Sequence, residues 1–227
     1  MAINMGNTLY YLPLLAATRR GSVPERLTGK ILTVYLEEMT NLSLGQSLDI
    51  AWHRSLSEEV DEERYMTMCK LKTGSLVRMG IRFACVLRGV ERDVEERLVK
   101  FGDAVSVAFQ IQDDVLNLVG SETEYGKEIG GDIKEGKRTL MVVHALRHLP
   151  EAKSRRLLEI LRMQTSDPDL IREAIALIVE AGSIEYSKAV ARKLVEEAWK
   201  GIEGLLPESR QKEGLRELAG FLVERSK

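Results

Sequence analysis

Two adjacent carboxylates stand out in the sequence because they interrupt a run of apolar residues. Asp113 and Asp114 lie in FQIQDDVLN, residues 109–117, whose apolar spacing predicts a helix. On that helix Gln110, Asp113 and Asn117 share one face, and Asp114 lies about 100° further round, close enough to serve the same site. Burying both carboxylates without compensation is costly. Oxygen ligands at this spacing suit Mg²⁺, which takes its other ligands from water and substrate phosphates. The alternative is a pair that faces solvent or an internal arginine.

A group of basic residues follows this helix. Lys127, Lys134, Lys137 and Arg138 lie in and just after a glycine-rich stretch, residues 120–136. A stretch of this length without helical periodicity is usually functional or disordered, and its charged neighbours favour a function. Positive side chains beside a carboxylate–metal site would bind a polyphosphate ligand. The alternative is a solvated loop in which opposite charges balance.

A third set of polar residues lies upstream, in GQSLD (45–49) and at Lys72. Asp49 is one helical turn from Gln46 and one from His53, so the three side chains lie near one another on a helix. Lys72 ends a predicted helix at a break in the periodicity, where its charge can point into a cleft. The alternative for Gln46 and Asp49 is a satisfied hydrogen-bonded pair between helices.

Histidine and cysteine give weaker signals. His144 and His148 have the i, i+4 spacing of a zinc pair, but no third ligand follows at a recognised distance, so we expect a surface or helix-capping role. Cys69 and Cys85 can form neither a disulfide framework nor a four-thiolate metal site, and we predict that they lie in the core. A reducing cytoplasm is the simplest compartment for such a chain.

The composition indicates a soluble chain with a sizeable core. The 227 residues are 44% hydrophobic and 30% charged. The 33 basic and 35 acidic residues give a net charge of −2, which argues against a dedicated nucleic-acid binder. The longest apolar run, residues 9–17, contains a proline and falls short of the ~18 residues of a membrane span, so we predict no transmembrane segment. No boundary divides the chain, and we expect a single domain over residues 1–227.

Helical periodicity runs through almost the whole chain, and no alternating β pattern is present, so the predicted fold class is all-α. Helix starts are marked by Asp61, by Pro168 at a first helical position and by Ser183 as a cap. One long helical segment is expected to break around Thr73–Gly74. The predicted helices lie near residues 2–18, 25–54, 61–88, 93–118, 137–148, 151–163, 168–180, 182–203 and 209–225.

Together these segments resemble the isoprenyl diphosphate synthase (polyprenyl synthetase) family, and in particular its short-chain type such as the geranylgeranyl and farnesyl diphosphate synthases. Four motifs in the family's order make the resemblance specific, and it covers roughly residues 2–148. The motifs are GQSLD (45–49), LKTG (71–74), FGDAVSVAFQIQDDVLNL (101–118) and GKEIGGDIKEGKRT (126–139), while AINMGN (2–7) is similar to the family's helix just past its first aspartate-rich motif.

The resemblance implies a helical bundle of the isoprenoid synthase type, N-terminally truncated, and a Mg²⁺-dependent prenyl transfer with a C15–C20 product. An allylic diphosphate ionises, the double bond of isopentenyl diphosphate attacks, and a proton is lost, while metal and lysines neutralise the departing diphosphate. The implied roles are Mg²⁺ binding for Asp113, Asp114 and Asn117, diphosphate binding for Lys72, Lys127 and Lys137, polar contact near the carbocation for Thr73 and Gln110, and a place in the wall of the chain-elongation cavity for Phe109.

One motif of the family is missing. Its first aspartate-rich motif, DDxxD followed by RRG, would stand just before Ala2. Three explanations are open: one chain of a split or hetero-oligomeric enzyme with an N-terminal partner chain, a shortened form of an ordinary synthase, or a non-catalytic regulatory subunit that binds a complete synthase. The intact lysines and aspartates favour the first two, and they also argue against a helical adaptor without a ligand. Missing helices would leave residues 9–17 exposed and favour a homodimer or hetero-oligomer.

Overall fold

We describe a computed structural model of the chain, which places residues 1–19, 23–54, 60–120 and 129–224. Within these ranges helices are present and strands are not, which confirms the all-α prediction. The helices are α1 (Ala2–Thr18), α2 (Glu25–Arg54), α3 (Glu62–Lys72), α4 (Gly74–Arg88), α5 (Arg92–Val119), α6 (Gly131–Lys134), α7 (Leu140–His148), α8 (Glu151–Met163), α9 (Pro168–Glu180), α10 (Ser183–Ile202) and α11 (Arg210–Glu224).

Most predicted helix boundaries are confirmed to within a residue or two, and local signals explain them. The Asp61 carboxylate accepts a hydrogen bond from the Arg64 N–H at 2.8 Å and so caps the start of α3. Asp167 caps α9 in a similar way, just ahead of Pro168 at the first helical position. The expected break in the long segment is also confirmed, since Thr73 separates α3 from α4.

The segment after α5 departs from the prediction. The glycine-rich stretch contains the four-residue helix α6, and α7 begins at Leu140 instead of residue 137. The later start has a local cause, because the Thr139 hydroxyl caps α7 by accepting a hydrogen bond from the Val142 N–H at 3.4 Å. Lys137 and Arg138 therefore lie on non-helical backbone, directly ahead of a helix start.

Two predictions about α7 and α10 are wrong. Ser183 is the first residue of α10 instead of its cap, because Gly182 precedes the helix with a φ of 67°. The Ser183 hydroxyl lies 2.9 Å from Nδ1 of His144, which is buried and stacks on the Tyr186 ring at a centroid distance of 4.1 Å. His144 therefore has a packing role in the interior, whereas His148 is exposed as expected.

The core is arranged around α5. One apolar cluster joins α5 to α2, α3, α10 and α11, with Phe101 edge-on to Trp199 at a centroid distance of 6.0 Å. A second cluster joins the end of α5 to α6, α7, α8 and α9. Cys69 and Cys85 are buried, as predicted. Because α5 belongs to both clusters, the polar side chains on its second half are held between well-packed helices.

A buried network of charges joins α2, α4 and α5. We call it the arginine cluster, and it consists of Glu38, Arg78, Arg82 and Asp103. Arg78 lies 2.9 Å from a Glu38 oxygen and 2.6 Å from Asp103, and Arg82 lies 2.9 Å from the second Glu38 oxygen. Burial opposes ionisation of Glu38, but the two arginines outweigh it and lower the pKa of this carboxyl. Each buried charge of the arginine cluster therefore has an opposite charge beside it.

Helix α1 differs from all of this, because it contains no buried residue. Its exposed apolar side chains include Ile3, Leu9, Tyr11 and Leu15. In the described part of the chain no helix combines the length and apolar character needed to cross a membrane.

Candidate functional site

The polar motifs meet in one pocket between α2, α3, α5 and the non-helical segment ahead of α7. Its lining residues are Asp49, Trp52, Tyr65, Met68, Lys72, Gln110, Asp114, Lys137, Arg138 and Thr139. Three motifs that are far apart in the sequence thus contribute side chains to the same place. We call the charged residues here, together with the acid that pairs with Lys137, the pocket cluster: Asp49, Lys72, Asp114, Asp132, Lys137 and Arg138.

Asp114 is the most deeply buried acid of the pocket cluster, at 5% exposure. The Tyr65 hydroxyl donates to its Oδ2 at 2.8 Å, and the Gln110 amide donates to its Oδ1 at 2.8 Å. Burial, followed by the negative charge of Asp132, raises the pKa of Asp114 to about 7. Asp114 is thus held in place by two neutral donors while it faces a second acid, an arrangement that favours a bound cation.

Gln110 connects Asp114 to the break between α3 and α4. The Thr73 hydroxyl donates to Oε1 of Gln110 at 2.9 Å, while the Gln110 amide donates to Asp114. The sequence pattern places Gln110 on the same face as Asp113, yet it pairs with Asp114 because side chains four residues apart are neighbours on a helix. Two hydrogen bonds therefore couple the position of Thr73 to that of Asp114.

Asp113 and Asn117 have different surroundings. Asp113 is half-buried, whereas Asn117 is buried and accepts a hydrogen bond on its side-chain oxygen from the Asp132 N–H at 2.9 Å. The backbone carbonyl of Asn117 accepts a second hydrogen bond, from the Gly130 N–H at 2.7 Å. Asn117 thereby attaches the start of α6 to α5, and its role as a metal ligand stays a prediction.

Asp132 is a charged residue of this site that the sequence analysis missed. Its Oδ1 lies 2.6 Å from Nζ of Lys137, and a Glu135 oxygen lies 3.2 Å from the same nitrogen. Burial raises the pKa of Asp132 in spite of the lysine. The sequence did contain a signal for Asp132. This acid lies in the glycine-rich run GGDIKEGK, five residues before Lys137, and a turn between the two residues can bring their side chains together.

The GQSLD motif positions Lys72. The Nζ of Lys72 lies 2.5 Å from Oδ2 of Asp49, and Nδ1 of His53 lies 3.7 Å from the other carboxylate oxygen. A Cβ on Gly45 would lie 2.4 Å from the Lys72 backbone nitrogen, so a glycine is needed for α2 to approach α3 this closely. Asp49 thus forms a pair between helices, with Lys72 as its partner.

A glutamine at the end of α8 fixes the segment that carries Lys137. The Gln164 amide donates to the carbonyl of His53 at 2.6 Å and to that of Glu135 at 3.2 Å. Gly136 has a φ of 72°, and a Cβ there would lie 2.7 Å from the Leu161 carbonyl oxygen. These contacts attach the segment to the ends of α2 and α8.

The remaining predicted residues do not line the pocket or lie outside the described residues. Phe109 is half-buried on α5 and does not line the pocket. Lys134 is half-buried at the end of α6. Lys127 lies outside the described residues, so its part in diphosphate binding stays a prediction.

The acids of the site fit Mg²⁺ with an open coordination shell. No group of three His, Cys, Asp or Glu side chains in the described ranges forms a ready cation site. Yet both buried acids, Asp114 and Asp132, have a raised pKa, first through burial and then through like charges, since Asp132 acts on Asp114 and Asp113 acts on Asp132. Mg²⁺ commonly takes one or two protein carboxylates and completes its shell with water and phosphate oxygens. The donor set therefore suits a cation that is shared with a phosphorylated ligand.

The chain is similar in sequence to several isoprenyl diphosphate synthases. The chain is 35% identical over 225 residues to a short chain isoprenyl diphosphate synthase of Methanothermobacter thermautotrophicus, across 99% of this chain and 67% of that protein. It is 30% identical over 230 residues to a geranylfarnesyl diphosphate synthase of Aeropyrum pernix, across 100% of this chain and 70% of that protein. A second short chain isoprenyl diphosphate synthase, from Methanocaldococcus jannaschii, is 34% identical, and the match spans 55% of its length.

The fold also matches solved structures of the same kind. A polyprenyl synthetase from Streptomyces coelicolor superposes with a TM-score of 0.83 at 29% identity, over 98% of this chain and 66% of that one. The sequence pattern of the family described as Polyprenyl synthetase matches residues 1–178. The chain therefore belongs to the polyprenyl synthetase family.

Proposed function

We propose that the chain is a prenyltransferase that condenses an allylic diphosphate with isopentenyl diphosphate in the presence of Mg²⁺. The observation that carries this proposal is the convergence of Asp114, Lys72 and Lys137, from three separate motifs, in one pocket. The family membership and the names of the relatives, which include short chain isoprenyl and geranylfarnesyl diphosphate synthases, support the same reaction class.

Each part of the pocket has a role in this reaction. Lys72 and Lys137 bind the diphosphate, and Asp49 and Asp132 orient their ammonium groups. Asp113 and Asp114 would hold Mg²⁺, which when bound neutralises charge on the leaving diphosphate.

The two hydrogen-bonded polar groups beside Asp114 complete the proposed chemistry. Gln110 and Thr73, which are joined by a hydrogen bond of 2.9 Å, direct oxygen dipoles toward the allylic carbon as it becomes positive. The resulting catalysis is electrostatic and positional, since the chain offers charges and dipoles instead of a nucleophile.

We further propose that the chain works in an assembly, either a homodimer or a hetero-oligomer with an N-terminal partner chain. Helix α1 has no buried residue although much of it is apolar, and such a surface favours association. The chain spans about two thirds of the length of these two relatives. Light scattering across a dilution series is expected to show an oligomer, and a monomer at every concentration would contradict this.

A prenyl transfer assay tests the reaction. The purified chain is incubated with Mg²⁺, isopentenyl diphosphate and allylic diphosphates of five, ten or fifteen carbons. We expect product formation, with the chain length of the product defining the specificity, either from the chain alone or after the N-terminal partner is added. Failure to turn over any allylic diphosphate under both conditions would contradict the proposal and favour the alternative, a non-catalytic regulatory subunit of a complete synthase.

A further inference from the structure

The three cations that line the pocket are not equivalent. Lys72 has Asp49 as its partner at 2.5 Å, and Lys137 has Asp132 at 2.6 Å. Arg138 forms no comparable ion pair with any carboxylate in the ranges that the structure places. One positive charge of the pocket cluster is therefore left without a negative one.

This arginine is also deeply buried. Its exposure is 8%, and its Nε is enclosed without a hydrogen-bond partner among the described residues. Burial lowers the pKa of Arg138, and the positive charge of Arg162 on α8 adds to the effect. Burying a charge costs free energy, and because arginine keeps its proton in proteins, Arg138 cannot avoid this cost by becoming neutral. A buried, uncompensated guanidinium in a pocket is a site for an anion.

The backbone around Arg138 keeps the side chain in this position. Gly136, two residues earlier, is packed against the Leu161 carbonyl, and Thr139, one residue later, caps α7. The backbone on both sides of Arg138 is thus fixed, which limits how far its side chain can move toward solvent. Its planar group of N–H donors matches the oxygens of a phosphate better than a lysine does.

We propose that Arg138 is a ligand-binding residue that donates hydrogen bonds to the oxygens of the substrate diphosphate. It supplies a positive charge that is not already paired, whereas Lys72 is paired with Asp49 and Lys137 with Asp132. This inference rests on the proposed function, because it assigns Arg138 to the diphosphate of the same reaction. It singles out one member of the basic group after α5, to which the family resemblance assigned no role.

The proposal predicts opposite changes in binding and in stability. Calorimetric titration of the full chain with inorganic diphosphate and Mg²⁺ is expected to show binding that is weakened about 10- to 100-fold in Arg138→Gln, since a charge-assisted hydrogen bond is lost. Arg138→Lys is expected to recover part of the affinity. Thermal unfolding of the ligand-free chain is expected to show that Arg138→Gln is more stable than the parent, whereas a merely structural arginine would make the variant less stable.

Arg162→Gln is the matched control. It removes the same charge from a nearby but exposed position on α8 that does not line the pocket, and it is expected to bind diphosphate within about twofold of the parent, as for surface charges generally. If diphosphate binding were weakened equally in both variants, the effect would come from the overall positive charge of the region and not from a direct contact with Arg138, and this would overturn the proposal. Undiminished binding in Arg138→Gln would overturn it while leaving the proposed function intact. Diphosphate binding that depends on Arg138, in a chain that transfers no prenyl group, would support the contact and contradict the proposed function.

Discussion

The arginine cluster and the pocket cluster are both buried groups of charges on the helices around α5, yet they differ in electrostatic balance. In the arginine cluster, Glu38 has a lowered pKa and Arg78 a raised one: burial opposes both charges, and their partners outweigh it. In the pocket cluster burial dominates at three groups: the pKa of Asp114 is raised to about 7, that of Asp132 is raised, and that of Arg138 is lowered. Lys137 behaves like Arg78, because its acid partners outweigh burial and raise its pKa.

The comparison distinguishes a structural network from a binding site. A network that serves stability satisfies its own charges, as Arg78 does by contacting Glu38, Asp103, the Ser75 hydroxyl and the Lys70 carbonyl. A site that binds an ion or a charged ligand retains groups that are unfavourable without it. Chemical composition does not separate the two, since both contain acids and cations on neighbouring helices.

The largest expected effect concerns the arginine cluster. Arg78→Met leaves the buried Glu38 with less compensation and removes the partner of the half-buried Asp103, so the free energy of unfolding is expected to fall by about 3 kcal/mol. Urea unfolding followed by circular dichroism measures this change. Arg156→Met is the control, because its pair with Glu173 is much more exposed than the pair of Arg78 and Glu38, and this variant should leave the free energy of unfolding unchanged within error. A loss below about 1 kcal/mol for Arg78→Met would contradict a structural role for the cluster.

The next effect concerns the helix contact that positions Lys72. In Gly45→Ala the new Cβ meets backbone atoms of Leu71 and Lys72, so α2 and α3 must separate, with an expected loss of about 1–3 kcal/mol. Gly29→Ala lies on the same helix with open space around it, and it is expected to gain about 0.5–1 kcal/mol. The two variants are compared by the same unfolding experiment, and shifts of equal sign would argue against a close contact at Gly45.

A change of slope is expected in the pH dependence of stability. The carboxyl of Asp114 has a pKa of about 7 in the folded chain and about 3.9 when unfolded, so between these values the folded state binds more protons. The contribution of Asp114 to the free energy of unfolding is therefore greatest below pH 4, and it is lost as the pH rises from about 4 through 7. Asp114→Asn removes this contribution, with a difference in slope of up to about 1.4 kcal/mol per pH unit. Parallel stability curves for the metal-free proteins would contradict it.

The sequence predicted the fold well where local signals decide it. Asp61, Asp167 and Pro168 mark helix starts through their own side chains, and periodicity identified the long helices. It failed where distant residues decide. Nothing local to Ser183 shows that its hydroxyl lies against His144. At α7 the missed signal was local, since the Thr139 hydroxyl caps the helix and its first residue is Leu140 instead of residue 137.

The sequence predicted which residues belong to the candidate site better than it predicted which of them contact one another. Asp114, Lys72, Gln110 and Lys137 line one pocket, as their motifs suggested. The partners that position them are contacts across tertiary structure, such as the Tyr65 hydroxyl on Asp114, 49 residues away, and no spacing rule reveals these. The difference between a paired lysine and the unpaired Arg138 likewise depends on burial in the folded chain.

The most direct test of the account is a calorimetric titration of the chain with geranyl diphosphate, with and without Mg²⁺. We expect binding that requires Mg²⁺ and that is abolished in Asp113→Ala and in Asp114→Ala. Asp93→Ala, an exposed aspartate on the same helix α5, is expected to bind like the parent. Binding that is unchanged in both pocket variants, or equal with and without Mg²⁺, would contradict the claim that these aspartates hold a metal against the substrate diphosphate.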